Sequence, residues 1–204
     1  MELRNQPVSA FVEALASRRS VPGGGGACAL AGSLAAALGH MVGELTVGKA
    51  KYIDVEEDII AMMERAEALC KELLECIDKD AEAFAPLAEA YGMPKDDPSR
   101  DLVMETCLKE ASAVPLRITE LAAAVIELEK GFAEKGSALA ASDAATGAVM
   151  ARAALYGGAV NVKINTKYMK DRAYAESINA RVDELIETYS AIADDVYGQV
   201  YGRF

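Results

Sequence analysis

The chain has 204 residues, of which 21 are Lys or Arg and 32 are Asp or Glu, so its formal net charge at pH 7 is −11. This length is typical of one domain with its own hydrophobic core, and we predict a single domain over residues 1–204. The negative charge argues against nucleic acid or an anionic membrane surface as a partner. An anionic small ligand would need a local group of basic residues to bind.

Helical periodicity runs through almost the whole chain. Ser9 is the predicted N-cap of the first helix, and Asp54 with Glu57 resembles a capping box at the start of the third. A turn is predicted at 92–98, Pro115 should kink the fourth helix, and Gly136 should end it. The six predicted helices cover residues 9–17, 26–49, 54–91, 99–134, 137–167 and 171–201.

The predicted fold class is therefore all-α, a bundle of about six long helices, because no segment shows the alternation of a β-strand. The second and fifth helices are unusually rich in glycine and alanine. Such small faces favour close helix packing, either across the two-fold axis of a homodimer or within one subunit.

The uncharged segment 21–39 is long enough to suggest a membrane span. It consists mostly of Gly and Ala, and His40 and Glu44 follow at once, so we predict a buried helix of a soluble protein. Residues 1–19 carry Glu2, Arg4 and Glu13, which indicates an ordinary helix rather than a secretory signal. The four cysteines show no CxxC or metal-like spacing, and this favours reduced thiols and a cytoplasmic location.

The run Pro22, Gly23, Gly24, Gly25, Gly26 precedes the second predicted helix. Glycine lets a ligand approach the backbone closely, and a helix N-terminus presents unpaired N–H groups and the positive end of the helix dipole. The run therefore indicates either a site for an anionic or electron-rich ligand or a flexible connector. A nucleotide-binding loop is disfavoured, because no strand precedes the run and no GxxxxGK[ST] pattern accompanies it.

Lys49, Lys51 and Tyr52 follow the small-residue helix. They either compensate the negative end of its dipole or anchor an anionic or aromatic ligand. Ser142 and Asp143 lie in an alanine-rich stretch. Asp143 is either a first-turn residue of the fifth helix or a carboxylate facing a polar pocket, where it would be a candidate general acid or base.

Asn161 and Asn165 are four residues apart and share one helix face, from which they either bind a heterocycle or form hydrogen bonds between helices. Asp80 lies in an acidic segment typical of a solvated face. His40 and Glu44 have metal-ligand spacing, but no third ligand is evident, so no metal site is predicted.

With these motifs in this order, the sequence resembles the cyclodeaminase/cyclohydrolase family of folate one-carbon enzymes. The matching segments are 22–25 with the Ala/Gly helix after it, 48–49, 51–52, Asp80 with 83–84, 113–115, 142–143, 161–162 and 164–165. Two positions depart from the family pattern. Relatives often have serine where Gly26 stands, and many have asparagine where Ser137 stands.

The resemblance implies an all-helical homodimer that acts on tetrahydrofolate derivatives, with no metal and no cofactor beyond that substrate. It implies Asp143 as the first candidate for general acid or base and Asp80 as a second carboxylate. Asn161 and Asn165 would bind the pterin edge. The remaining implied substrate contacts are the glycine-loop amides of Pro22–Gly25 and the side chains of Ser142, Lys49, Lys51 and Tyr52.

Within this family the 93–95 turn and the length favour a methenyltetrahydrofolate cyclohydrolase, which forms 10-formyltetrahydrofolate. A formimidoyltetrahydrofolate cyclodeaminase, which releases ammonia, is the alternative. A helical dimer that binds a ligand without catalysis, or serves only a structural role, is a third interpretation.

Overall fold

The computed structural model describes residues 2–203, so Met1 and Phe204, the ends of the predicted domain, lie outside the described residues. Six α-helices account for most of this range, and none of the described residues forms a strand. The helices are α1 Val8–Leu15, α2 Gly24–Glu44, α3 Glu56–Tyr91, α4 Arg100–Lys135, α5 Ala141–Thr166 and α6 Arg172–Tyr201. Short 3₁₀ helices cover Leu3–Asn5, Ala50–Val55 and Ala138–Ala140. The all-α prediction is confirmed.

The capping residues predicted at the N-termini of α1 and α3 were wrong. Pro7 precedes α1, which places Ser9 inside the helix, and no side chain caps its N-terminus. Proline suits the start of a helix because it has no backbone N–H to satisfy. Asp54 lies in the 3₁₀ helix Ala50–Val55, and Val55 precedes α3 without a side-chain hydrogen bond. No capping box forms there.

The second helix is displaced from its predicted span. It starts at Gly24, inside the glycine run, and ends at Glu44 rather than near Lys49. The chain turns at Gly48, where φ is +75°, a conformation that favours glycine. Lys49 and Lys51 therefore follow a sharp turn and do not belong to the last turn of α2. The two lysines therefore do not compensate the negative end of the α2 dipole from within that helix.

The second half of the chain follows the prediction closely. α4 ends at Gly136, whose N–H donates to the Phe132 carbonyl over 2.8 Å. α6 follows Asp171, whose side chain accepts from the Tyr174 N–H as an N-cap. Pro115 lies inside α4 as expected, and Pro86 lies inside α3 in addition.

The helices form a layer in the order α3, α2, α5, α6, and α4 packs behind it against all four. α2 and α5 run antiparallel. Gly24 lies opposite Asn161, Gly32 opposite Ala154, and Gly39 and Gly147 meet the same side chain of α4. The outward faces of α2 and α5 have no helix over them within the described residues.

The glycines of α2 and α5 serve contacts inside one chain. A β-carbon at Gly157 would lie 2.2 Å from Cys28 Sγ, and one at Gly32 would lie 3.2 Å from the Leu73 side chain. Close helix packing within one subunit therefore accounts for the small residues, and they carry no argument for a dimer.

α2 is long and apolar enough to cross a membrane, and it is the one such helix among the described residues. Half of its most apolar stretch is buried against other helices. It packs between α3 and α5 with α4 behind, which agrees with the prediction of a buried helix.

Glu129 of α4 is a carboxyl group inside the apolar core. Its residue is 0% exposed, and neither carboxyl oxygen has a hydrogen-bond partner among residues 2–203. β-Carbons at Gly39 and Gly147 would lie 2.7 Å and 2.5 Å from its Oε1, so both glycines make room for it. Burial raises its pKa well above the ordinary value, and the polar backbone of Gly39 offsets only part of that effect.

Candidate functional site

A cavity of about 210 Å³ lies where the N-terminus of α2 meets α3, α4 and α5. It brings the glycine run, one half-buried carboxyl group and two asparagine amides to one place. The residues that line it are Ser20, Val21, Gly23, Gly24, Gly25, Asp80, Phe84, Ala111, Pro115, Asn161, Ile164 and Asn165. Pro22 is buried beside it, joined to Val21 by a cis peptide bond.

Asp80 lies directly at the start of α2. Its Oδ2 accepts a hydrogen bond from the Gly26 N–H over 2.9 Å. Gly23, the N-cap residue, offers no side chain, so Asp80 of α3 satisfies an amide that the first helical turn leaves free. The sequence-based expectation of a solvated Asp80 was therefore wrong, because α3 directs this side chain inward.

The electrostatics of Asp80 favour a proton-transfer role. Burial raises the pKa of the carboxyl group, and the Gly26 N–H, which stabilises the charged form, opposes that effect in part. Only Oδ2 has a hydrogen-bond partner among the described residues, and Oδ1 is free. A half-buried carboxyl with a raised pKa and a free oxygen in a cavity is a candidate to accept and return a proton.

Two glycines are required for this geometry. A β-carbon at Gly25 would lie 2.1 Å from Asp80 Oδ1, and one at Gly24 would lie 3.0 Å from Asn161 Nδ2. The run is therefore no flexible connector, since Gly24, Gly25 and Gly26 form the first turn of α2 and the first two lie against Asn161 and Asp80. By contrast, a β-carbon at Gly26 would touch nothing closer than 3.7 Å, so a serine side chain has room to start there.

Asn165 joins α5 to α4. Its Nδ2 donates to the Ala111 carbonyl over 2.9 Å. In a regular helix that carbonyl would accept from the N–H of residue 115, but Pro115 has none. The side chain of Asn165 thus satisfies a carbonyl that proline leaves free, and this confirms the interhelical interpretation for that residue.

Asn161 bonds within its own helix, where its Nδ2 donates to the Gly157 carbonyl over 2.8 Å. The side-chain oxygens of Asn161 and Asn165 accept no hydrogen bond from any residue in 2–203. Both side chains are partly exposed and line the cavity. Each can therefore still offer an acceptor and one N–H to the edge of a bound heterocycle.

A second cluster of predicted site residues lies at the opposite end of the α2–α5 pair. Tyr52 Oη accepts from the Ala138 N–H over 3.0 Å, and Thr46 Oγ1 accepts from the Ser137 N–H over 2.8 Å. These bonds hold the end of α2 and the 3₁₀ helix Ala50–Val55 against the residues that precede α5. The Ala138 N–H, and the Lys51 ammonium 5.3 Å from the ring centre, lower the pKa of Tyr52.

The other residues of this second cluster are Lys49, Lys51, Ser142 and Asp143. Both lysines are exposed, and neither forms an ion pair with any residue of the described range. Asp143 is half-buried in the first turn of α5, and Ser142 is exposed beside an apolar hollow between α5 and α6. The interpretation that Asp143 lies in the first turn of α5 is confirmed.

Within one chain, the predicted site residues therefore lie in two separate places. The cavity holds Gly23, Gly24, Gly25, Asp80, Asn161 and Asn165, with Pro22 beside it. The second cluster holds Lys49, Lys51, Tyr52, Ser142 and Asp143. Because α2 has 21 residues, the two ends are roughly 30 Å apart at 1.5 Å per residue.

Sequence reasoning assigned no site role to part of the cavity wall, including Phe84, Pro115 and Ile164. Signals for the first two existed. Phe84 lies one helical turn after Asp80 on the same face of α3, and a proline inside a helix demands a partner for the released carbonyl. Nothing in the sequence distinguishes Ile164 from other apolar residues of α5.

Comparison with known proteins identifies the family of this chain. Residues 7–184 match the family model described as formiminotransferase-cyclodeaminase, a range that contains every residue of both clusters. The chain belongs to this family of proteins.

Three relatives illustrate the range of similarity. A methenyltetrahydrofolate cyclohydrolase from Methylorubrum extorquens is 38% identical over 203 residues, 98% of each chain. The formimidoyltransferase-cyclodeaminase of Gallus gallus is 33% identical over 189 residues, but the match spans only 35% of that longer protein. The crystal structure of a formiminotetrahydrofolate cyclodeaminase from Thermotoga maritima has a TM-score of 0.82 at 29% identity, covering 98% of this chain and 96% of that one.

Proposed function

We propose that this chain is a methenyltetrahydrofolate cyclohydrolase, which adds water to 5,10-methenyltetrahydrofolate and releases 10-formyltetrahydrofolate. The observation that carries the proposal is the cavity that a half-buried carboxyl, Asp80, shares with Asn161 and Asn165, whose side-chain oxygens accept no hydrogen bond from the described residues. The relative with this name matches over nearly its full length, and this supports the hydrolase over other activities of the family.

The reaction requires a base, an acid and recognition of the ring. Water adds to the cationic methenyl carbon, and a carboxylate accepts one of its protons. The bond between N5 and this carbon then breaks as N5 takes up a proton, and the hydroxyl of the tetrahedral intermediate loses its proton to leave a formyl group on N10. One proton is released in total. A nearby carboxylate also stabilises the cationic substrate by charge.

We assign the proton transfer within the cavity to Asp80, with its free Oδ1 as the reacting atom. Asn161 and Asn165 would bind the edge of the pterin, and the glycine-loop amides at Gly23, Gly24 and Gly25 would contact its polar atoms. A volume of about 210 Å³ is below the roughly 300–1,000 Å³ of sites that enclose a whole drug-sized ligand, so the cavity suits one end of the folate.

The glutamate end of the substrate is anionic, and Lys49, Lys51 and Tyr52 are proposed to hold it or the ring next to it. Asp143 remains the proposed partner of Asp80 in proton transfer, and Ser142 a proposed substrate contact. These residues lie in the second cluster, roughly 30 Å from the cavity within one chain.

A formimidoyltetrahydrofolate cyclodeaminase is the second candidate. Its reaction closes the same ring by attack of N10 on the formimino carbon: N10 loses its proton, and the departing nitrogen takes up protons and leaves as ammonia. It therefore also requires a group that transfers protons. The structural likeness to the Thermotoga maritima cyclodeaminase favours this candidate.

Two assays separate these candidates. Methenyltetrahydrofolate absorbs in the near ultraviolet and its hydrolysis product does not, so a fall in absorbance that depends on the protein is the expected result. Formimino substrate with ammonia detection tests the deaminase. Turnover of the formimino substrate alone would overturn the hydrolase assignment. Binding of folate without turnover of either substrate would support a non-catalytic ligand-binding protein.

The wider setting is also proposed. We infer a homodimer in the cytoplasm that uses no cofactor beyond its folate substrate and has no nucleic-acid or membrane partner. The four cysteines are free thiols, which supports a reducing compartment. The net charge of −11 supports the absence of polyanionic partners.

A further inference from the structure

We propose that the p-aminobenzoylglutamate half of the substrate binds in a second cavity of the same chain, where Arg100 pairs with a glutamate carboxylate and Tyr91 and Tyr168 contact the benzoyl ring. This inference rests on the proposed function for its ligand. Three structural observations carry it: the position of the second cavity, the free guanidinium edge of Arg100, and the two phenols in the cavity wall.

The second cavity has a volume of about 250 Å³ and lies where the end of α3 meets the start of α4 and the segment between α5 and α6. In the wall of the first cavity the charged residue is Asp80, which cannot attract an anion. The second cavity contains cations as well as aromatic rings. The lining residues that matter here are Tyr91, Arg100, Asp101, Glu105, Tyr168 and Lys170.

The second cavity continues the helix faces that line the first. On α3, Phe84 lines the first cavity and Tyr91 the second, and a spacing of seven residues places both on one side of the helix. On α4, Ala111 of the first cavity and Leu108 of the second are three residues apart and therefore adjacent on the helix surface. Tyr168 comes directly after α5, whose last turns line the first cavity. The two cavities are thus neighbours at one end of the bundle.

The spacing of the two cavities matches the length of the substrate. Phe84 and Tyr91 are roughly 10 Å apart along α3, at 1.5 Å per residue. In tetrahydrofolate about eight covalent bonds separate N10 from the α-carboxylate of the glutamate, which is on the order of 10 Å when extended. A substrate whose pterin occupies the first cavity therefore places its glutamate at the second. Lys49 and Lys51 lie roughly 30 Å from the first cavity in the same chain, so Arg100 is the nearer anchor.

Arg100 has a free edge that suits a carboxylate. Its Nε donates to the Met93 carbonyl over 3.3 Å, whereas Nη1 and Nη2 form no hydrogen bond with any residue in 2–203. The side chain is half-buried, so the contact with Met93 orients the guanidinium and leaves its two terminal nitrogens available. Such a pair of donors matches the two oxygens of a carboxylate. Arg18 and Arg19, by contrast, are exposed and line neither cavity.

The two carboxylates of the second cavity are already engaged. Asp101 forms an ion pair with Lys170. The oxygens of Glu105 accept backbone N–H groups, from Lys170 over 2.7 Å and from Asp171 over 3.1 Å. These contacts stabilise both negative charges and leave the charge of Arg100 without a carboxylate partner among the described residues. The cavity can therefore accept an anion at Arg100.

Tyr91 and Tyr168 supply an aromatic surface beside Arg100. They are 48% and 55% exposed, so both rings can receive a ligand. Burial raises the pKa of Tyr91 and the neighbouring Tyr168 phenol adds to this effect, which agrees with two phenols in one cavity. The Lys167 ammonium lies 5.4 Å from the centre of the Tyr168 ring and adds a second positive charge at the rim. A benzoyl ring against these phenols buries aromatic surface and directs the attached glutamate toward Arg100.

Binding of unreactive folates tests this site without reference to catalysis. Tetrahydrofolate and tetrahydropteroate differ only in the glutamate, and calorimetry measures the affinity of each. We expect the native chain to bind tetrahydrofolate about tenfold more tightly, and Arg100→Ala to remove this preference. Arg65→Ala, on α3, is the control, because it removes the same charge from an exposed residue that lines neither cavity, and it should keep the preference. Equal affinity of the native chain for both ligands, or a preference that persists in Arg100→Ala, would overturn the proposal.

Kinetics with the matching methenyl substrates separate a binding role from a structural one. Arg100→Ala should raise KM for methenyltetrahydrofolate about tenfold with kcat unchanged, and it should leave KM for methenyltetrahydropteroate unchanged. Tyr168→Ala should raise KM for both substrates, because both carry the benzoyl ring. An equal effect of Arg100→Ala on the two substrates would show that Arg100 acts through the fold, and it would contradict the pairing with glutamate.

The alternative anchor and the proposed function are tested in the same experiments. If Lys49→Ala/Lys51→Ala abolishes the preference for tetrahydrofolate and Arg100→Ala keeps it, the glutamate binds at the second cluster and the proposal is overturned. A preference that Arg100→Ala abolishes, in a protein that turns over neither methenyl nor formimino substrate, would refute the catalytic function and support the binding site. Turnover with a preference that Arg100→Ala leaves intact would support the function and refute the site.

Discussion

A β-carbon at Gly25 would lie 2.1 Å from Oδ1 of Asp80. The glycine is thus required by a carboxyl group 55 positions away in the chain and on another helix. The same carboxyl satisfies the Gly26 N–H over 2.9 Å, so the start of α2 and the geometry of Asp80 depend on each other.

Gly25→Ala should therefore displace Asp80 from the start of α2. We expect turnover of methenyltetrahydrofolate to fall by at least about a hundredfold, the low end for loss of a positioned acid or base. Gly198→Ala is the control, because nothing lies within 4 Å of the added carbon and α6 gains helix propensity. The absorbance assay and circular dichroism measure activity and folding. Native-like turnover in Gly25→Ala would show that the close contact has no functional consequence.

Asp80→Asn keeps the shape of the side chain and an acceptor for the Gly26 N–H but cannot transfer a proton. We expect a loss of turnover of at least about a hundredfold with folding retained. A second measurement is independent of activity. Burial, and to a lesser extent Asp80, raise the pKa of the Cys28 thiol to about 11. Removing the carboxylate should lower that pKa, measurable from the pH dependence of alkylation, whereas an unchanged pKa would place the two side chains apart.

The activity of the native protein should fall on the acidic side at a pH above the ordinary carboxyl range. Asp80 must be ionised to act as a base. Because burial raises its pKa, its ionised form is lost at a higher pH than that of an exposed aspartate. The pH dependence of kcat/KM measures this limb. An acidic limb at the ordinary pKa of an exposed aspartate would argue against Asp80 as the base.

Asp143→Asn should likewise fold normally and lose turnover by at least about a hundredfold, as expected for a carboxyl that moves a proton. Its place in the first turn of α5 also predicts a small effect on stability, since a carboxylate there favours the helix by about 0.3–1 kcal/mol. Near-normal turnover in purified Asp143→Asn protein would remove this residue from the mechanism.

Glu129→Gln should stabilise the fold at neutral and alkaline pH. Because burial raises the pKa of Glu129, the neutral form is favoured in the fold. The free energy of unfolding then decreases as the pH rises from the ordinary carboxyl value to the pKa in the fold, by about 1.4 kcal/mol per pH unit. Urea unfolding at pH 5 and pH 8 should show a larger gain for the variant at pH 8. Glu127→Gln, exposed on the same helix, is the control. An equal effect at both pH values would contradict a buried neutral carboxyl.

The sequence by itself determined the helices and their order. Helical periodicity and the helix-breaking residues at Gly136 and in 92–98 are local features of the sequence. They therefore predicted the C-terminal ends of α3, α4 and α6 to within about a residue. Ser9 and Asp54 were assigned as caps because their residue types favour caps, but Pro7 and the 3₁₀ helix Ala50–Val55 start those helices instead.

Only the tertiary structure decided which side chains meet. Asp80 was expected in solvent, because its neighbours in sequence are charged, yet α3 turns it onto the start of α2. Asn165 finds a carbonyl that Pro115 releases on another helix. The predicted site residues separate into two groups because α2 and α5 are antiparallel and roughly 30 Å long. Residue types are local information, but distances across a bundle depend on how whole helices pack, and no spacing along the chain contains them.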